Sequence, residues 1–159
     1  MLKPAWYVII HPDYPPAAGH ARLPQAQAMS DLLRETFEDD PVFDPAHTGA
    51  AAEIMVRTAE YLGDAVRHGR VVLPDSVHLD ALLHAVNLCL AHLAQATGRL
   101  AHQADTNTGA DLSGLSDTTR ADLTTTLATA AGRLEESAGL FREAHLAARG
   151  PRPFSADPA

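Results

Sequence analysis

Nine histidines, together with acidic side chains spaced at helical intervals, are the residues of this sequence with the most chemistry to offer. A di-metal centre in a helical bundle needs carboxylates from several helices and a Glu-x-x-His pair on two of them. The sequence has no Glu-x-x-His and no His-x-x-x-His. On a helix, His84 and His92 differ by about 80° in azimuth and about 12 Å in rise, too far to share one ion. Asp64 with His68, and Asp80 with His84, stand four apart and read as surface hydrogen bonds. We expect no metal ligands and no cofactor.

His145 falls on an apolar stripe between Phe141 and Ala148. A base in a pocket is one use for such a residue. The plainer reading, and the expected one, is a stripe-edge histidine near a helix C-terminus, where positive charge is favoured. Glu53, Glu60 and Asp64 share one side of a helix. Paired carboxylates do acid–base work when burial splits their pKa values. Nothing in the sequence buries these three, so they are expected to form a solvated acidic face. Cys89 is the only cysteine, which excludes an intrachain disulfide and a CxxC metal site. With Leu88, Leu90 and Leu93 around it, an inert buried thiol is expected. There is no Walker loop, no GxGxxG and no GxSxG nucleophile elbow. No catalytic set assembles from these parts.

The elements that must position these residues are helices. Pro24 suits a first helical position, and a helix is expected from there to about Glu38, ended by Asp39-Asp40-Pro41. A second should run from about Pro45 to His68, capped by Asp44 and stopped by Gly69. Its apolar side holds Ala51, Ile54, Met55, Thr58, Tyr61, Leu62, Ala65 and Val66. A third should start near Asp75 or Ser76 and reach about Gln103. Its stripe is Leu79, Leu83, Val86, Leu90, Leu93, Thr97 and Leu100, a heptad seam. A polar loop from Thr106 to Ser116 precedes a fourth helix ending at Arg149. The stripe of that helix is Leu123, Leu127, Ala130, Leu134, Ser137, Phe141, His145 and Ala148. Residues 6–10, Trp-Tyr-Val-Ile-Ile, are the best strand candidate, either packed beside the helices or paired with Val71–Leu73 or across a dimer. The expected fold is all-α: an antiparallel four-helix bundle over residues 23–150, with a long C-terminal hairpin, an extended segment 1–22 and a disordered tail 151–159.

At 159 residues the chain is long enough for one domain with a core, and 5% aromatic content makes that core aliphatic. Lys3 is the only lysine against eleven arginines, the mark of a GC-rich bacterial genome. A net charge of −8 lacks the basic footprint of direct nucleic-acid binding. Residues 31–64 alone hold nine acidic side chains and two arginines. No run of about 18 apolar residues is read as a membrane span, and the N-terminal run is too short for a signal sequence, so a cytoplasmic protein is expected.

The third helix is nearly apolar all round. Opposite its leucines stand Ala81, His84, Ala85, Leu88 and His92, read as an interface to a second copy. The leading expectation is a non-catalytic protein that acts by protein–protein contact, as a homodimer, with its acidic half available to a basic partner. A small metal- or ligand-binding bundle, and an acidic regulator of a nucleic-acid-binding partner, are the alternatives.

Overall fold

The computed structural model describes residues 24–38, 44–71, 73, 75–107 and 111–149. The expected strand at 6–10, the extended segment 1–22 and the tail 151–159 lie outside them. Four helices follow in chain order: α1 (Pro24–Glu38), α2 (Pro45–Ala65), α3 (Ser76–Thr106) and α4 (Asp117–Arg149). No strand occurs among the described residues. The chain divides into two compact units, one spanning Pro15–Asp75 and the other containing α3 and α4.

In the first unit, α2 begins as its sequence dictates. The Asp44 carboxylate accepts from the Ala46 amide at 2.7 Å, and Pro45 fills a position whose missing N–H costs nothing. The helix ends at Ala65, earlier than expected, and tightens into a 3₁₀ turn over Val66–Val71. Gly69 takes φ 49°, the left-handed region that suits glycine, and its carbonyl accepts from the Leu73 amide at 2.9 Å. Val71 therefore belongs to a 3₁₀ turn and not to a strand. Ala65 is buried, while Met55, Tyr61 and Leu62 on the same apolar side are exposed. Phe37 of α1 meets His47 of α2 edge to face, with ring centroids 6.4 Å apart.

The second unit is a hairpin of two long helices. Asn107 ends α3 with φ 51°, the left-handed cap conformation that asparagine tolerates. Asp111 Oδ1 then accepts from the Ser113 amide at 3.0 Å, which shapes the connecting turn. Ser116 caps α4, its Oγ accepting from the Thr119 amide at 3.1 Å. The run Thr124-Thr125-Thr126 is helical despite β-branching, and Thr125 returns its hydroxyl to the Ala121 carbonyl at 2.9 Å. Asp80 pairs with Arg149, Asn87 with Ala138 and Gly98 with Ala131, so the residue order along one helix reverses along the other.

Two expectations change here. The seam of α3 is not the leucine stripe. The buried residues are His84, Asn87, Ala91, Ala94, Ala101 and Ala104, and from 84 to 101 each follows a stripe leucine or valine by one position. Small side chains bring helix axes toward the short end of the roughly 8–10 Å range, which leucines facing each other would prevent. Cys89 is exposed, because a rotation of about 160° from Ala91 sets it on the back of α3. In addition, α3 is long and apolar enough by length and composition to cross a membrane, with an 18-residue window of mean hydropathy 1.3. His84, Asn87 and His92 interrupt that run without adding charge, so it is not an unbroken apolar stretch.

Candidate functional site

Ala138 of α4 is fully buried opposite Asn87, and Gly98 faces Ala131 closely enough that an added Cβ would sit 3.9 Å from the alanine methyl. Alanine and glycine thus form the middle of the hairpin seam. Asn87 is 1% exposed and donates from Nδ2 to the Ala138 carbonyl at 2.6 Å. Its Oδ1 has no hydrogen-bond partner among the described residues.

A charged cluster closes the end of the hairpin away from the connecting loop. Asp80 lies in the second turn of α3, and His145 and Arg149 lie in the last turns of α4. Reversed helix directions place the positive pole of α3 beside the negative pole of α4. An acid on the first and bases on the second are each favoured there. His145 Nδ1 stands 2.8 Å from Asp80 Oδ1, and Arg149 Nε 3.3 Å from Asp80 Oδ2. The Asp80 carbonyl is also 3.3 Å from His145 Nδ1. The His84 ring rests against that of His145, with centroids 5.0 Å apart and planes tilted by 37°. Both imidazoles are buried. Burial holds the His84 pKa below its ordinary 6.5; His145 and Arg149 push the same way, and Asp80 opposes them.

On the sequence alone, Asp80 and His84 form a local surface pair and His145 stands by itself. The hairpin brings all three together with Arg149. The available signal was reciprocal: an acid in the early turns of one long helix and a histidine and an arginine in the late turns of the next. Of the expected interface residues, His84 is buried in the seam, Ala81 and Leu88 are half-buried, and Ala85 and His92 are exposed. Glu53, Glu60 and Asp64 are all exposed on α2, and Glu53 accepts from Arg57 Nη2 at 2.6 Å.

The displaced leucines have a consequence for the surface. On α3 the stripe precedes the seam by one residue, about 100° of rotation. On α4, Leu127, Leu134 and Phe141 precede Ala131, Ala138 and His145 by four, about 40° in the same sense. In a reversed pair, equal senses of rotation lead to the same side of the seam. The two stripes therefore join into one apolar face, two helices wide, most of it half-buried, with Leu79 and Leu100 more exposed at its ends.

Among the described residues, no group of three or more His, Cys, Asp and Glu side chains is disposed to hold a metal ion. No family model, curated protein or solved structure matches this chain.

Proposed function

We propose that the protein is a non-catalytic helical module that works by protein–protein contact, and that its leucine face binds a second copy of the chain. The carrying observation is the union of the α3 and α4 stripes on one side of an alanine seam. Leu83, Leu90, Leu93, Leu127, Leu134 and Phe141 form the centre of that face, which includes no charged side chain. An uncharged face does not select a charged partner and matches its own copy across a two-fold axis. Its extent, about 35 Å by 20 Å from helix rise and diameter, is close to the roughly 800 Å² per partner of a specific interface. The rest of α4 supports a hairpin that works in water, since Arg133, Glu135, Glu136, Arg142 and Glu143 are all exposed along it.

Sedimentation equilibrium tests the reading. The wild-type chain should be a dimer, and Leu90→Glu a monomer that keeps its helical circular dichroism. Should that variant unfold, Leu100→Glu, at a position already 53% exposed, should still weaken the dimer. A monomeric wild-type chain would refute the reading. It would favour instead the closure of α1 and α2 over the same face, as an antiparallel four-helix bundle within one chain.

A further inference from the structure

We propose that the apolar side of α2 is a second docking surface, and that its partner is a basic amphipathic helix of another protein. This surface belongs to the first unit, and its use does not depend on what covers the leucine face.

Ala65 is the one buried side chain of α2. Around it, at 100° per residue, Tyr61, Ile54, Thr58, Leu62, Met55 and Val66 fill an arc of about 140°. Tyr61 is 71% exposed, and Met55, Leu62 and Val66 are exposed as well. Thr58 turns its hydroxyl back to the Ile54 carbonyl at 2.7 Å, so it asks for no partner. A helix of 21 residues is stabilised in proteins mainly by covering its apolar side, and here that side is bare. The backbone of a helix is spent on its own ladder, so the surface offers side chains and no strand edge. Another helix laid along it is the match. From Ile54 to Val66 the surface runs about 18 Å, between three and four turns of such a helix.

Charge selects the partner. Arg57, Asp64, Glu53 and Glu60 follow one another around the flank next to Tyr61. Arg57 is held by Glu53 at 2.6 Å and Arg67 by Asp64 at 3.4 Å, so both arginines already serve carboxylates of α2. Glu60 is exposed and has no ion pair among the described residues. Residues 35–44, which lead into α2, add five acids and no lysine or arginine. Lysines and arginines on a docked helix meet this excess while their methylene stems cover apolar surface. A second copy of the chain brings the same acids to the same place and is repelled.

Fluorescence anisotropy with the full chain tests the surface. The probe is a labelled peptide of leucine and lysine, about five turns long, with leucines at i, i+3, i+4 and i+7. It should bind about tenfold or more tightly than a peptide of the same composition in scrambled order, and than a leucine–glutamate peptide of the same pattern. Tyr61→Gln combined with Leu62→Gln should weaken binding by about tenfold or more. Glu60→Gln should weaken it by about two- to fivefold and flatten its salt dependence. Leu90→Gln, on the hairpin, should leave it unchanged. Without any variant, the peptide should raise the hydrogen-exchange protection of residues 54–66 and not that of residues 91–104. Equal binding of the scrambled peptide would overturn the proposal, as would protection gained on the hairpin instead. So would a folded double variant that binds as the wild type does. A wild-type dimer that the double variant dissolves would give the surface to a second copy, and would overturn it too.

Discussion

His145 of α4 reaches across the hairpin to Asp80 of α3, with 2.8 Å between Nδ1 and Oδ1. The contact joins a C-terminal turn to an N-terminal one, so both helix dipoles reinforce it. Asp80→Asn removes the charge that His145 and Arg149 share and leaves two bases side by side. We expect a loss of about 2 kcal/mol in urea unfolding at neutral pH, less than the roughly 3–5 kcal/mol of a fully buried pair because water reaches part of the site. A change within error would show that the pair contributes nothing net.

Asn87 is the most enclosed polar side chain of the seam. Asn87→Asp would set a carboxylate against the Ala138 carbonyl, acceptor against acceptor, and should cost about 3 kcal/mol or more. Asn87→Leu removes the donor and the unpartnered Oδ1 together, and should fall within about 1 kcal/mol of wild type. Equal destabilisation by both would mean that shape, not polarity, governs this position.

The alanine seam makes opposite demands at two of its small residues. Gly98→Ala adds a methyl at ordinary van der Waals distance from Ala131 and relieves the entropy of a helical glycine, so it should raise stability by about 0.5–1 kcal/mol. Ala138→Leu has no room for its side chain and should lower stability by about 1–3 kcal/mol. Thermal unfolding of the two variants distinguishes a close-packed seam from a loose one, in which the leucine would be tolerated.

The helices were legible in the sequence because their punctuation is local. Pro24, Asp44-Pro45 and Ser116 mark helix starts by their own backbone chemistry, and all three starts lie where the sequence puts them. The seam was not legible by the same means. Hydrophobic periodicity finds the largest apolar side chains, and here those flank the contact while alanines make it. Cys89 was misplaced for the same reason: leucine neighbours in sequence do not cover the back of a helix. The cluster at Asp80 depends on two segments far apart in the chain, and only the pairing of α3 with α4 joins them. Asn87 offered a weak local sign, a polar residue within an otherwise small-residue row.

The short connection between α3 and α4 also sets an order of events in time. Residues beside the turn need little chain closure to meet, whereas Asn87 and Ala138 are 51 positions apart and Asp80 and Arg149 are 69 apart. A chain of this kind zips from the turn outward, so the charged end forms last and frays first. During synthesis α3 emerges with its leucines bare well before α4 exists to pair with it. That interval is when the polypeptide is most prone to aggregate.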